Sequence, residues 1–336
     1  MRKLATIQKI IGIKPIEGAD NIELAVVSGW QVVTKKGEYK PGDFCIYCEI
    51  DSFLPITEEF EFLRKSSYKK MSDGSEGFRL KTIRLRGEIS QGLLLPLSSL
   101  GDISGGFSLG DDVSGVLGII KYEPPVPAQL AGEAKGAFPS FISKTDEERV
   151  QNLADRLADY RDSLFYISEK MDGTSVTVYL KNGEFGICSR NYELLENPEN
   201  TYWKVVRELD IENKLRNYGK NLALQGELIG EGIQKNIYKI RGQKIAFFDV
   251  FDIDNFRHYD YESFAALISE FRLERVPVVY EAAKLPGTVE EILEMANGTS
   301  ALNPKANREG LVFRSPGEKR ISFKAISNAY LLKNED

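Results

Sequence analysis

Leu164-Phe165-Tyr166-Ile167-Ser168-Glu169-Lys170-Met171-Asp172-Gly173 is the stretch on which the reading of this chain turns. An apolar run of strand character ends in a lysine, with a carboxylate and a glycine just beyond it. That is the form of a lysine nucleophile set beside an acidic group at the lip of a sheet. A free lysine side chain has a pKa of about 10.4, so nucleophilic use demands desolvation, a cationic neighbour or a bound metal. Taken alone the pattern is weak, because a Lys-x-Asp-Gly match arises by chance in roughly one chain in ten of this length. Asp172-Gly173 reads equally well as a simple turn.

What lies downstream changes the balance. Thr174 to Leu180 alternates and meets Asn182-Gly183, a strong hairpin signal, after which Phe185 to Ser189 returns and ends in Arg190-Asn191. The hairpin brings Lys170 and Arg190 into one neighbourhood. Leu222-Ala223-Leu224 then runs into Gln225-Gly226-Glu227, Ile245 to Ile253 carries Phe251-Asp252, Glu309-Gly310 opens Leu311-Val312-Phe313, and Ile321-Ser322-Phe323 leads to Lys324. Functional residue types thus recur at strand edges within one half of the chain. Asp172, Glu227 and Glu309 form a candidate set for a divalent cation, directly or through water, since hard cations select oxygen ligands. Lys324 supplies a neighbouring charge, Gly173 lets the backbone pass close to a ligand, Arg190 suits a phosphate or ribose, and Phe251 suits stacking on a base. Each has a bland alternative, and for Phe251 that alternative is core packing. Helices are expected over Tyr261 to Leu273 and Thr288 to Ala296, the second with a Thr288/Glu291 capping box.

Upstream, Thr145 with Glu148 reads as another capping box, with Val150, Leu153, Ala154 and Leu157 at helical spacing. A Gly/Pro/Ala-rich stretch from Tyr122-Glu123-Pro124-Pro125 to Gly136-Ala137-Phe138-Pro139 reads as a junction. Before it, short strands over Leu4 to Ile13, Ile22 to Val27, Trp30 to Thr34, Asp43 to Ile50, Leu80 to Leu85 and Gly92 to Leu95 are punctuated by glycines. Such spacing is that of a small antiparallel barrel, with an OB-like barrel the first choice. The expected fold is therefore α+β: an OB-like β-barrel over residues 1–120, a junction over 121–144, and a domain over 145–336 built on antiparallel sheets with flanking helices.

Composition bounds the function classes. The 336 residues, 42% of them hydrophobic, suffice for two cores. No apolar run approaches the roughly 18 residues of a membrane span, and the first fifteen residues do not read as a signal peptide, so no membrane partner is expected. An intracellular location, cytoplasmic or nuclear, follows as the expectation, with an organelle also open. Cys45, Cys48 and Cys188 make no even framework and read as reduced core residues. A single histidine, His258, excludes a multi-histidine metal cluster, so the chemistry falls to lysine and carboxylates. Although 44 basic against 50 acidic residues give a net charge of −6, the segment Arg64 to Arg86 holds Arg64, Lys65, Lys69, Lys70, Arg79, Lys81, Arg84 and Arg86 with Tyr68 and Phe78 interleaved. That pattern suits phosphates and stacked bases, with a solvated charge run as the alternative.

The ordered series Glu169-Lys170-Met171-Asp172-Gly173-Thr174, Ser189-Arg190-Asn191, Gln225-Gly226-Glu227-Leu228, Phe248-Asp249-Val250-Phe251-Asp252, Glu309-Gly310-Leu311-Val312-Phe313 and Ser322-Phe323-Lys324-Ala325 resembles the covalent nucleotidyltransferase superfamily of polynucleotide ligases and messenger-RNA capping enzymes. The resemblance implies an ATP-grasp-like ligase domain in which Lys170 becomes linked to the nucleoside monophosphate and Lys324 contacts the α-phosphate. It further implies nucleotide contacts from Glu169, Arg190, Glu227 and Phe251, and metal contacts from Asp172, Glu227 and Glu309. One departure stands out: Ser322 occupies a position that is basic in many relatives. The leading barrel, the Phe138-Pro139-Ser140-Phe141 junction with Lys144 to Arg149, and the ending Ser327-Asn328-Ala329-Tyr330-Leu331-Leu332-Lys333 are similar to nick-sealing RNA ligases of the Deinococcus/Naegleria type. Only twelve residues follow Lys324, too few for a trailing barrel of the kind that DNA ligases and capping enzymes carry.

The resemblance implies an ATP-dependent RNA ligase, with Mg²⁺ or Mn²⁺, that acts on the 3′-hydroxyl and 5′-phosphate of a nicked RNA duplex through lysyl-adenylate and RNA-adenylate intermediates; a monomer is the default expectation. The place of Arg149, just before the nucleotidyltransferase half, suggests it as an orienter of the departing pyrophosphate, with a solvated helix charge as the alternative. Rival readings are a capping guanylyltransferase, separated by GTP rather than ATP labelling, a DNA ligase, separated by the sugar of the 3′-OH strand, and a non-catalytic OB-fold nucleic-acid-binding protein, separated by the absence of any covalent nucleotide.

Overall fold

A computed structural model describes residues 3–71, 73–104, 106–123, 132–316 and 320–334. The Pro124-Pro125 part of the expected junction lies outside them.

The amino-terminal half is a barrel of short strands. Strand Ala5–Pro15 is its spine: its first half pairs with Phe44–Cys48 and its second half with Ile22–Val27. A register shift between Ile10 and Gly12 bends the strand where it changes partners, as a bulge at a barrel corner does. Leu93–Leu95 and Trp30–Lys35 complete this sheet, and Ser52–Pro55, Glu76–Arg79, Tyr68–Lys70 and Ile120–Lys121 form a second. A separate hairpin, Thr82–Leu85 with Glu88–Gln91, turns at Arg86-Gly87, where both φ angles are positive. Leu4, Ile7, Ile46, Phe60, Phe78 and Val113 fill one core. In a second, Ile10, Val27, Trp30, Tyr47 and Ile50 pack with Ile326 and Leu331 from the far end of the chain. The two halves are therefore joined by shared apolar packing.

In the carboxyl-terminal half two sheets present inner faces to each other. The larger has the order Ala134–Ala137, Tyr192–Leu194, Glu184–Cys188, Thr174–Lys181, Leu222–Gly230, Gln243–Asp252, Arg257–His258, all antiparallel. Helices Thr201–Glu208, Ile211–Tyr218 and Tyr261–Glu270 cover its outer face through Val176, Val178, Leu224, Phe247 and Val250. The smaller runs Glu148–Arg149, Ser322–Ile326, Gly310–Arg314, Leu164–Lys170, Val278–Lys284. Helix Val289–Ala296 and a 3-10 run over Val150–Tyr160 cover its outer face through Phe165, Ile167, Phe313 and Phe323. Alternation then decides what lines the cleft: with Ile167 and Phe165 outward, Ser168 and Lys170 turn inward.

Two turn signals in the sequence are realised. Asn182 and Gly183 both take positive φ in the hairpin, and Thr288 and Glu291 form the reciprocal capping box. The Thr145/Glu148 box is not. Residues 145–147 are not helical, Glu148–Arg149 pairs in parallel with Ser322–Ile326, and helical turns begin only at Val150. The cause is long-range: Glu147 is drawn to Arg314 at 3.1 Å and Arg149 to Asp51 at 3.3 Å. Cys45, Cys48 and Cys188 are free and buried, and burial raises their thiol pKa values, that of Cys45 to about 12. Among the described residues no helix is long and apolar enough to cross a membrane.

Candidate active site

Lys170 ends its strand opposite Gly310, which puts its Nζ 2.6 Å from Glu309 Oε1. Glu227 joins them from the larger sheet, because Gly173 lets two strand ends meet: a Cβ there would lie 2.5 Å from Leu228 O and 2.7 Å from Glu227 Cγ. Asp172 is fixed by its backbone N–H, which donates to Tyr238 Oη at 2.6 Å. Three carboxylates and one amine thus share a small space. Burial pushes the Glu227 carboxyl up to about 8, Lys170 opposes the shift, and Glu309 and Asp172 add to it. Asp172 is raised by burial first and by Glu309 next. Such like-charge crowding is relieved by a cation. Among the described residues no three such side chains are arranged to ligate one ion directly, so the set fits a hydrated ion gripped through its waters, the habit of Mg²⁺.

Beside this cluster is a knot of cations around Asp146. Lys121 Nζ is 3.1 Å, Arg190 Nη2 3.3 Å and Lys324 Nζ 3.8 Å from its carboxylate oxygens. Burial alone would push the Asp146 carboxyl up, but Lys324, Arg190 and Lys121 hold it well below the usual carboxylate range. Three cations so gathered suit a phosphate, and here their charge is met internally by one carboxylate. Sequence reading singled out Lys324 and Arg190; it missed Lys121 and Asp146, which lie in the junction and in the non-helical segment behind it.

Arg149 is buried at 6% exposure, against the reading of a solvated helix charge. Its Nη2 is 3.3 Å from Asp51 Oδ2 of the barrel, which also pairs with Arg79 at 3.1 Å, and its guanidinium lies over the Trp30 ring. Nε and Nη1 of Arg149 find no hydrogen-bond partner among the described residues, so two buried donors stand available. Glu169, just before Lys170, is 1% exposed. One carboxylate oxygen accepts from Ala301 N at 2.8 Å while Oε1 has no hydrogen-bond partner among the described residues, and burial raises its pKa.

The expectation for Phe251 is corrected. Its ring is 1% exposed, packed against Tyr179, Cys188, Ala223 and Ile142 and roofed by Phe138 and Phe141 of the junction. No open face remains for a base. Phe248, three residues earlier, is the partly exposed ring, packed against a cluster that holds Met171, Tyr238, Ala246 and Val276, with the Arg314 guanidinium 5.4 Å from its centroid. It sits at a bulge: Phe247 pairs with Gly226 and Asp249 with Gln225, which leaves Phe248 as the extra residue turned toward the smaller sheet.

Behind Phe248 a buried ion network ties the two sheets together. Arg320 Nη2 is 2.5 Å and His258 Nδ1 3.1 Å from Asp249 Oδ2, and Glu147 lies between Arg320 and Arg314. Ser322, at the position that departs from a basic consensus, donates to Glu147. No sequence signal marks this network, since its members lie on four separate segments.

A family profile described as RNA ligase matches residues 163–326, and one described as OB-fold domain matches residues 4–97. Naegleria gruberi RNA ligase with pyrophosphate is 44% identical, with a TM-score of 0.93 over 100% of this chain and 100% of that one. A mutant of that ligase with ATP and Mn is 43% identical, TM-score 0.92, over 99% of each chain. Another mutant, with AMP and Mn, is 44% identical, TM-score 0.93, over 100% of each. No curated protein matches.

Proposed function

This chain belongs to the RNA ligase family, and from that premise we propose that it seals the 3′-hydroxyl and 5′-phosphate of a nick in duplex RNA by three successive transfers. It is an ATP-dependent RNA ligase that works with a divalent metal. Lys170 is the nucleophile. The contact with Glu309 is one made by a protonated amine, so Lys170 must lose that proton before it attacks, and Glu309 Oε1 at 2.6 Å is within reach to accept it. The neutral Nζ then forms a bond to the α-phosphorus of ATP while the α–β bridging P–O bond breaks and pyrophosphate departs. Lys324 and Arg190 offset charge on the phosphate oxygens once Asp146 releases them. A hydrated Mg²⁺ or Mn²⁺ held through its waters by Asp172, Glu227 and Glu309 would favour the neutral amine and add positive charge at the α-phosphate.

Arg149 would orient the pyrophosphate through its two unpartnered donors. Phe248 would stack on the purine, taking the role first read for Phe251. Glu169 Oε1 would accept from the amino group that adenine carries at C6 and guanine lacks, which favours ATP over GTP. In the second transfer AMP passes from Lys170 to the 5′-phosphate of the RNA. In the third, the 3′-hydroxyl attacks that phosphate and expels AMP.

The RNA would lie against the barrel's basic segment. Several of its cations have structural work, Arg64 with Glu61, Lys70 with Glu76 and Arg79 with Asp51. The exposed Arg84 and Arg86 at the projecting hairpin are the better candidates for phosphate contact. We take the enzyme to act as a monomer, and its use of ATP and RNA fits a cytoplasmic or nuclear site of action.

The observation that carries this reading is the meeting of Lys170, Glu309, Glu227 and Asp172 at one point beside the Asp146 cation knot. Incubation with α-labelled ATP and Mg²⁺ or Mn²⁺ is expected to label the protein covalently, and Lys170→Ala to remove the label. Equal labelling of both proteins, or labelling by GTP in preference to ATP, would overturn it.

A further inference from the structure

Asp172 lies beyond the end of its strand, in a short turn with no ladder to hold its side chain. A carboxylate so placed, among other carboxylates, needs an outside donor to fix its orientation. The donor comes from the last helix, Asn328–Asn334. The Tyr330 ring is 8% exposed, and its hydroxyl lies within reach of the Asp172 side chain, with Glu309 and Tyr238 close by.

This helix is itself clamped from three directions. Ser327 N donates to Glu309 O at 2.8 Å, so the helix begins on the segment that carries another acidic member of the site. Ser327 Oγ donates to Asn297 Oδ1 at 2.8 Å and receives Tyr330 N at 3.2 Å. On the barrel side, Gln91 Nε2 donates to Asn328 Oδ1 at 3.2 Å, and Leu331 is buried with Ile10, Trp30, Tyr47 and Leu94. Consecutive residues on a helix point about 100° apart, so Leu331 can fill the barrel core while Tyr330 reaches the acidic cluster.

We infer that Tyr330 is a positioning residue for the metal-holding carboxylate of Asp172, and that Leu331 makes its placement depend on the docked barrel. The barrel thereby gains a part in lysine adenylylation through one turn of helix, in addition to any contact of its own with ATP or RNA. The inference rests on the reading of Asp172 as a metal-holding group. Outer groups that orient a metal's ligands typically carry a 10- to 100-fold effect on affinity or activity.

The test uses the full chain with Tyr330→Phe, which keeps the ring and removes only the hydroxyl. Mn²⁺ is titrated in two readouts: the metal-induced rise in melting temperature without ATP, and covalent labelling by α-labelled ATP. The expected result is a half-saturating Mn²⁺ concentration raised about tenfold in both, with the metal-free melting temperature within about 2 °C of wild type and labelling restored at high Mn²⁺. Leu331→Ala is expected to shift the same two curves in the same direction. Unchanged half-saturation in Tyr330→Phe would overturn the inference, and unchanged half-saturation in Leu331→Ala alone would overturn its dependence on the barrel. Asp172→Asn separates this from failure of the underlying reading: if that variant too binds Mn²⁺ as wild type does, Asp172 is not a metal group, whatever Lys170 does with ATP.

Discussion

Replacing Arg320 with methionine removes the cation that faces a deeply buried carboxylate, Asp249. The Asp249 side chain is 2% exposed and that of Arg320 16%, with 2.5 Å between Nη2 and Oδ2. Breaking a buried pair by deleting one partner costs roughly 3–5 kcal/mol, mostly because the remaining charge is stranded. With unfolding entropy of about 2.1 cal/mol/K per residue, 336 residues give about 0.7 kcal/mol/K, so the melting temperature should drop by roughly 4–7 °C. The pH dependence carries the diagnosis. Burial would raise Asp249, yet Arg320 and His258 hold it well below the usual carboxylate range. In the wild type this stability is present above the ordinary carboxylate pKa and is lost only as pH falls through the depressed native value. Without Arg320 the carboxylate regains protons more easily, so the deficit should shrink as pH is lowered from 8 toward 5. Adding Asp249→Asn to Arg320→Met should recover most of the loss, because the stranded charge is gone. Differential scanning calorimetry of the four proteins across that range decides it. A loss below about 1 °C, or losses in the double variant that simply add, would refute the reasoning.

Phe248→Ala should raise the KM for ATP in lysine adenylylation by about tenfold, one lost stack of 1–3 kcal/mol, whereas Phe251→Ala should cost about 3–5 kcal/mol of stability in a melting experiment; the reverse assignment would restore Phe251 as the base-stacking ring. Because burial and its acidic neighbours push Glu227 up to about 8, a cation entering below that pH must displace a proton, so the metal concentration needed for adenylylation should fall as pH rises from 6.5 toward 8 and then level off, and Glu227→Gln should flatten the profile. Without metal this group makes the folded state lose stability as pH rises from the ordinary carboxylate value of 4.5 to about 8, and added Mn²⁺ should raise the melting temperature more at pH 8 than at pH 6. Arg149→Ala should slow labelling by ATP at least tenfold while sparing the sealing of a preadenylylated strand; equal losses in both assays would contradict its role at the pyrophosphate.

How far the site could be read from the sequence depended on whether a residue's place is set locally. Lys170, Arg190 and Glu309 each stand at or beside a strand end, signalled by its own neighbours: the apolar run, the hairpin turn at Asn182-Gly183, the glycine that follows; Glu227 and Lys324 lie within short strands whose apolar pattern is equally local. Phe248 and Phe251 look alike at that range, both aromatic and both in one strand. What separates them is a bulge set by pairing with Leu222–Gly230 and a roof supplied by Phe138 and Phe141, more than a hundred residues earlier in the chain. Thr145 and Glu148 had the local chemistry of a helix start. The parallel pairing of Glu148–Arg149 with Ser322–Ile326 and the ion pair from Glu147 to Arg314 override it, because nucleating one helical turn gains little against two long-range partners.

The same override explains why Asp146 and Lys121 escaped notice. A non-helical segment with no periodicity gives no pattern to read, yet that course is what carries Asp146 between Arg190 and Lys324 and brings Arg149 to the barrel's Asp51. A helix starting at Thr145 would have folded these residues back on themselves, since it advances 1.5 Å per residue where an extended strand advances about 3.3 Å. The cation knot and the barrel contact therefore require this segment to be non-helical. Residues proposed for bond-making are legible where the local strand pattern positions them, whereas Asp146 and Lys121 are placed by tertiary pairing, and only the folded chain reveals them.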